Sequence, residues 1–312
     1  MSAATPPTFS IVTPCLNRAD TIGCAIHSVL AQRHPGVEHI VIDGRSNDGT
    51  LEVLARYPHL RVVSEPDRNL YDAINKGLLL ARGDVIGLLN SDDVYAPGAF
   101  AAASQLLADP AVEMVIGGAE MFTSVDGRER VFRRFVGPRA IALAEANAIG
   151  NVTLMNACFW RRELQERIGP FDVRFPLAAD KDFWMRMVLA RPAHRQLSQV
   201  FYRYRSHGGS LTFSGADIRD TASRDLLELA QTRFGECRPG TCEHAAYRRW
   251  HAWAVGYRTV QLTARRRPRG ALQTAAKGLR IDPVWPLRFL ARLPGHWRDR
   301  DVRSGPATDG LG

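Results

Sequence analysis

Asp92 and Asp93 stand side by side behind Asn90-Ser91, and the run that leads to them, Val85-Ile86-Gly87-Leu88-Leu89, carries no charge. A short apolar run of this kind reads as a strand buried on both faces. A strand that stops in two acids delivers them to the carboxyl edge of a sheet, where open α/β sheets bind ligands. Neighbouring carboxylates repel, so a positive charge belongs beside them. A hard divalent cation shared with substrate phosphates is the usual one. The plainer reading is a solvated turn in which Asp92 or Asp93 caps the Ala-rich helix that follows. Two earlier apolar runs also end in acids, at Asp43 and at Glu65-Pro66-Asp67. Taken singly, Asp43 is a turn or capping residue; three acidic strand ends on one edge suggest a site.

The elements that would position these acids alternate regularly. Phe9–Thr13, Glu38–Asp43, Leu60–Ser64 and Val85–Leu89 are predicted strands, the first broken by Pro14. Helices are predicted between them: Ile22–Leu30 behind Thr21, about Leu51–Tyr57, and Tyr71–Ala81. Alternation with these connections points to a parallel sheet. No Gly-x-Gly-x-x-Gly follows the first strand, which disfavours a dinucleotide-binding domain, and no Walker-type loop is present. Farther on, Val112–Gly117 and Gln199–Tyr204 are predicted strands, and Arg128–Phe135 an exposed strand or hairpin whose Arg133 and Arg134 face solvent or, alternatively, contact acceptor phosphates.

Composition sets the bounds. The chain has 312 residues, 45% hydrophobic and 23% charged, an ordinary globular balance with room for one large α/β domain and an appendage. The N-terminal stretch has no signal-peptide pattern, no apolar run is long enough to span a membrane, and the five scattered cysteines suit free thiols. A cytoplasmic protein is expected. The net charge of +9 is unevenly spread: residues 1–215 carry 23 Lys/Arg against 22 Asp/Glu, and residues 216–312 carry 18 against 10. The two parts are expected to meet different partners.

Five blocks of sequence carry a resemblance. They are Ile11-Val12-Thr13-Pro14-Cys15-Leu16-Asn17-Arg18, Ser28–Gln32, Val41-Ile42-Asp43-Gly44-Arg45-Ser46-Asn47-Asp48-Gly49-Thr50, Ser64-Glu65-Pro66-Asp67 through Leu70–Gly77, and Leu89–Asp93. In order and spacing over residues 8–212 they resemble family 2 glycosyltransferases of the GT-A fold, bacterial polysaccharide-biosynthesis enzymes among them. The resemblance implies an α/β, GT-A-type single domain over residues 8–214 with a mainly parallel doubly wound sheet. Its nucleotide-sugar half is residues 8–122 and its acceptor half 123–214; a helical, basic region, 215–312, follows. It also implies a nucleotide-diphosphate sugar donor at the sheet edge with a divalent cation, Mn²⁺ or Mg²⁺, on its diphosphate. By the family's pattern Asp43 contacts the base, Asp92 faces the ribose, Asp93 holds the metal, and Thr13 and Pro14 border the nucleotide. Asp72 and Lys76, four apart on one helix face, form either a surface ion pair or a contact near the diphosphate. Asn69 stands where relatives commonly carry Gly, and a left-handed backbone is expected there, which Asn tolerates.

In the acceptor half, Ala179-Asp180-Lys181-Asp182 opens a predicted helix. Relatives carry Glu-Asp or Ala-Asp at this point, so the resemblance makes Asp180 the catalytic base, while an N-terminal carboxylate favoured by the helix dipole is the plainer reading. Asp182 is the fallback. His207, in the loop after the strand ending near Tyr204, would complete the metal site or touch the diphosphate. In the tail, Cys237, Cys242, His244 and His251 match no familiar zinc spacing. Tyr247, Trp250, Ala254, Tyr257 and Gln261 recur at helical spacing as a packing face. Trp285–Leu293 is an apolar stripe with interleaved arginines, suited to an anionic membrane surface or to an ordinary basic helix. No nucleic-acid recognition motif accompanies the basic tail.

The expected function is inverting, metal-dependent transfer of a sugar to an acceptor hydroxyl, on a saccharide or lipid-linked saccharide, in cell-surface polysaccharide or glycolipid synthesis. The expected location is cytoplasmic, peripheral on the inner membrane face. Two alternatives stand beside it. One is a relative that binds sugar nucleotides without turnover. The other is a nucleotidyltransferase, which would want a glycine-rich basic loop where Pro14-Cys15-Leu16-Asn17 stands.

Overall fold

The first four apolar runs form parallel strands: β1 (Phe9–Cys15), β2 (Val37–Asp43), β3 (Leu60–Ser64) and β4 (Val85–Leu88), hydrogen-bonded in the order β3-β2-β1-β4. Helices α1 (Ile22–Leu30), α2 (Thr50–Leu54) and α3 (Leu70–Leu80) connect them. Strand order reverses at β1, so β1 and β4 leave a crevice at their carboxyl ends. β1 does not stop at Pro14, as its sequence suggests, but runs through it to Cys15. The reason is directional. The Phe9 N–H points toward β2, donating to Gly36 O, so the alternate Pro14 nitrogen points toward β4. The β1–β4 ladder has ended by then, at Val12–Leu88, and proline's missing donor is not needed.

The computed structural model describes residues 6–125, 128–138, 142–145, 147, 155–206 and 216–298. The chain divides into two units, residues 1–144 with 152–213, and residues 145–151 with 214–312. In the first unit the sheet continues beyond β4 with mixed strand directions, through β5 (Val94–Tyr95), β6 (Met114–Val125), β7 (Arg128–Phe135), β8 (Cys158–Arg161) and β9 (His194–Arg205). β8 runs antiparallel between β4 and β6, and β6 pairs parallel with β9. β5 and β7 are antiparallel to β9 and β6. The expected mainly parallel sheet therefore holds for β1–β4 and gives way to a mixed one. β6 bends at Gly117-Gly118, where its partner changes from β8 to β7; a side chain on Gly117 would collide with Phe201. Helices α4 (Ala99–Leu107), α5 (Arg162–Ile168) and α6 (Ala179–Ala190) complete the unit.

Aromatic rings fill the space behind β4. Phe9 stacks on Phe100 at 5.1 Å, and Phe159 meets Phe9, Phe100 and Tyr95 at 5.3, 5.2 and 5.4 Å. Pairs of this kind add about 0.5–1.5 kcal/mol each beyond burial. The Tyr95 phenol also donates to Leu88 O at 2.9 Å, which fixes the end of β4 just before the acidic turn.

One buried group gives a pH signature. His39 on β2 is 2% exposed and shares a 2.8 Å hydrogen bond with Thr13. Burial, and secondarily His59, lowers its pKa from 6.5 to about 3. The unfolded chain then binds more protons than the folded one between these values, so this contribution is complete above about pH 6.5 and is lost as pH falls toward 3. His39→Gln keeps a polar partner for Thr13 and removes the titration. It is expected to lose about 2 kcal/mol less stability than the wild type between pH 7 and pH 5, measured by urea unfolding. Parallel pH curves would contradict this.

The second unit is helical: α7 (Ala216–Glu236), α8 (Cys242–Ala264), α9 (Pro268–Ile281) and α10 (Trp285–Arg298). Its core joins Ala252 and Val255 of α8 to Trp285, with Leu227, Ala275 and Phe289 packed around them. Asp220 of α7 binds Arg258 at 2.6 Å and Arg265 at 3.0 Å, pinning α7 to α8. Buried Asp282 receives Arg248 at 2.9 Å and Arg288 at 3.3 Å, closing the α9–α10 corner. Tyr247, Trp250 and Ala254 are buried as their spacing predicts, whereas Tyr257 is 40% exposed. No helix among the described residues is long and apolar enough to cross a membrane.

Candidate active site

The turn after β4 is held by residues from two other parts of the chain, β9 and the segment before β8. Asp93 is buried, and both its oxygens are occupied. Its Oδ1 accepts from the Arg205 N–H at 2.7 Å; its Oδ2 accepts from Asn90 Nδ2 at 3.0 Å and from the Tyr202 phenol at 2.9 Å. The Tyr202 oxygen in turn accepts from the Asn90 N–H at 3.0 Å and Asn156 Nδ2 at 2.9 Å. Arg205 Nε donates to Asp92 O at 3.1 Å. Burial, and then the Asp92 charge, push the Asp93 carboxyl up to about 7, against those three hydrogen bonds. Asp93, the expected metal ligand, thus accepts three hydrogen bonds that brace the turn. Half-buried Asp92 is the acid of the pair that reaches the surface.

Among the described residues no group of three or more His, Cys, Asp or Glu side chains forms a closed metal cage. A cation shared with a diphosphate does not need one, since one or two carboxylates and the phosphate oxygens suffice. Asp92 fits that requirement. His207, the other expected ligand, lies outside the described residues.

The residues expected around the nucleotide have mostly structural work. Asp43 is fully buried and closes its own loop, accepting from the Ser46 hydroxyl, from the Ser46 N–H at 3.1 Å and from Ser64 Oγ at 2.6 Å. Thr13 is buried against His39, and Pro14 is buried within β1. Lys76 is drawn into the loop after β3, with its Nζ 2.6 Å from Asp67, 2.9 Å from Glu65 and 2.7 Å from Pro66 O. Asp72 accepts from the Arg68 N–H at 3.0 Å and stands 3.9 Å from Lys76. Lys76 thus locks the loop after β3. The loops after β1 and β2 are joined by side chains that residue type alone did not single out. Ser46 accepts from the Asn17 N–H at 2.8 Å, Thr50 from the Arg18 N–H at 2.8 Å, and Asp48 from the Ala19 N–H at 3.1 Å.

Asn69 is also other than expected. Its backbone is extended, at φ −169°, and its side chain caps α3 by accepting from Tyr71 and Asp72. Its amide donates to Val173 O at 2.8 Å, while Asn75 exchanges two 2.8 Å bonds with Phe171. Phe171 stacks on Tyr71 and, at 4.0 Å, on Phe183 of α6. The amino end of α3 thereby fixes the turn that leads into α6.

On α6 the two candidate acids separate by environment. Asp182 is fully buried and paired with Arg186 at 2.9 Å, and Arg186 also donates to Pro170 O at 2.8 Å. Half-buried Asp180 lies in the first turn of the helix. The Tyr204 phenol relates it to the acidic turn: burial holds that phenol well above its usual range, with further contributions from Asp93, Cys158 and Asp180. Tyr202, Arg205 and Asn156 give no sign of their roles in sequence, because only the β9 and β8 pairings bring them to the turn.

Comparison with known proteins agrees with this architecture. The family model for glycosyl transferase family 2 matches residues 10–168. An uncharacterized glycosyltransferase of Mycobacterium tuberculosis is 34% identical over 191 residues, covering 59% of this chain and 70% of that protein. Among solved structures, S. aureus TarS (residues 1–349) in complex with UDP-GlcNAc superimposes with a TM-score of 0.67 at 18% identity, covering 95% of this chain and 90% of that one. A mannosyltransferase from Pyrobaculum calidifontis in complex with GDP-Man and Mn²⁺ gives 0.56 at 20% identity, covering 96% and 89%. With a parallel sheet ending in an acidic turn and a family match over half its length, the chain belongs to glycosyl transferase family 2 and has the GT-A fold.

Proposed function

We propose that this glycosyltransferase is an inverting enzyme that uses a nucleoside-diphosphate sugar, with Asp92 on the donor side and Asp180 on the acceptor side. What supports the reading is membership of family 2 together with the position of Asp92 in the turn after β4 and of Asp180 in the first turn of α6. Inversion requires the acceptor oxygen to attack the anomeric carbon from the face opposite the leaving diphosphate. Asp180 takes the hydroxyl proton as that bond forms. The diphosphate leaves on the Asp92 side. Asp92 would hold a divalent cation, Mn²⁺ or Mg²⁺, which would supply positive charge to the departing diphosphate. Asp93, Tyr202 and Arg205 hold the turn so that Asp92 is placed before the donor arrives. The loop ties at Ser46, Asp48 and Lys76 shape the nucleotide side without ligating it. The acceptor is a saccharide, free or carried on a lipid.

The stereochemistry of the product tests the reading. UDP- and GDP-sugars with an α-linked sugar are offered with Mn²⁺ and a panel of saccharide acceptors, and the first-formed glycoside is followed by proton NMR. A β-linked product is expected. An α-linked product would exclude single-displacement chemistry at Asp180, and release of nucleoside monophosphate would indicate cleavage at phosphorus instead.

A further inference from the structure

We propose that the outer face of α9 and α10 is a docking surface for an anionic lipid membrane. The proposal does not depend on the donor chemistry. The inner faces of these helices already meet the needs of folding: Ala271, Gly278 and Trp285 are buried, and Phe289 packs on the core. This reverses the expectation for Trp285, whose ring is only 7% exposed and so does not face a bilayer. A second set of apolar side chains points outward. On α9, Leu272 and Leu279 are 73% and 45% exposed and lie seven residues apart, on one helix face with exposed Ala276 between them. At the start of α10, Val284, Leu287 and Leu290 follow at a spacing of three and are 38%, 69% and 56% exposed. Outward leucines at helical spacing do nothing for a helix that already has a buried face.

The charges around them are of one sign. Arg266, Arg267, Arg269, Lys277 and Arg280 are exposed. The single acid between Tyr257 and Ala291 is Asp282, which is buried under Arg248 and Arg288. Exposed leucines among cations suit a lipid interface, where the apolar side chains enter the acyl boundary and the cations stay at anionic headgroups. A second copy of the chain is a poor occupant, because a two-fold contact would set cations against cations. Nucleic acid is a poor one too, since single strands bind on exposed rings and Trp285 and Phe289 face inward. Lying in the interface, not crossing it, is the mode open to these helices.

The test uses the full chain and sedimentation with vesicles, either of phosphatidylcholine alone or of equimolar phosphatidylglycerol and phosphatidylcholine. Binding to the anionic vesicles alone is expected, weakening as salt is added. The triple variant Leu272→Ser, Leu287→Ser, Leu290→Ser is expected to bind about tenfold more weakly or worse, with an unchanged melting temperature because all three side chains are exposed. Lys277→Glu with Arg280→Glu is expected to reduce binding comparably. Leu79→Ser, at an 86% exposed position of the first unit, is expected to bind as the wild type does. The proposal is overturned if the wild type ignores anionic vesicles or binds neutral ones equally. It is also overturned if the triple variant sediments like the wild type, or if Leu79→Ser matches its loss. Loss of a dimer or of oligonucleotide binding in the triple variant, without vesicle binding by the wild type, would assign the face to those partners instead.

Discussion

Asp180→Asn is expected to lower turnover by about a hundredfold or more while donor affinity stays close to that of the wild type. The amide keeps the size and shape of the carboxylate but cannot accept the acceptor's proton. Its place in the first turn of α6 separates it in sequence from the β4 turn, where the proposed donor-side acid stands. Asp182→Asn provides the contrast. That carboxylate is fully buried on Arg186, so its loss should appear as destabilisation, about 3 kcal/mol for a broken buried pair, seen as a lower melting temperature. Per folded molecule, Asp182→Asn is expected to turn over normally. An active Asp180→Asn beside a folded, inactive Asp182→Asn would move the base two residues along the helix.

Asp92→Asn is expected to abolish the gain in nucleoside-diphosphate affinity that Mn²⁺ provides and to lower turnover by about a thousandfold, the scale of several kcal/mol of lost charge stabilisation. The melting temperature of the free protein should fall less than in Asp93→Asn, because Asp92 is half-buried and Asp93 is buried. Asp93→Asn is expected to do the reverse. Its carboxylate serves Tyr202, Asn90 and the Arg205 N–H, and an amide would set one donor against another. About 1–3 kcal/mol of stability should be lost. If Asp93→Asn instead retains stability and loses the Mn²⁺ effect, the two acids have exchanged roles.

These residues show how far sequence reaches. β1 to β4 were legible because strands buried on both faces are near-continuous apolar runs, and α1, α3 and α6 show helical spacing. β5 and β8, two and four residues long, have too little pattern to read, and they are the strands that turn the sheet from parallel to mixed. The acidic turn and Asp180 were visible because acids at element ends carry meaning by position. The resemblance places Thr13 and Asp43 at the nucleotide and leaves Lys76 between an ion pair and a contact near the diphosphate. Which way a side chain turns at a strand end depends on partners such as His39, Ser64 and Asp67, brought by other strands and loops. Tyr202 reaches Asp93 across 109 residues, a distance at which no local pattern operates. In the tail, Trp285 reads as an interfacial anchor by type, yet the corner at Asp282 turns it into the core.

The division between a donor-side and an acceptor-side acid is tested most directly by calorimetric titration of UDP and GDP, with and without Mn²⁺, into Asp92→Asn and Asp180→Asn side by side. Asp180→Asn is expected to keep the full Mn²⁺-dependent affinity of the wild type for whichever nucleotide binds, and Asp92→Asn to lose it. Equal loss in both variants, or retention in Asp92→Asn, would contradict the assignment of the two carboxylates to opposite sides of the reacting carbon.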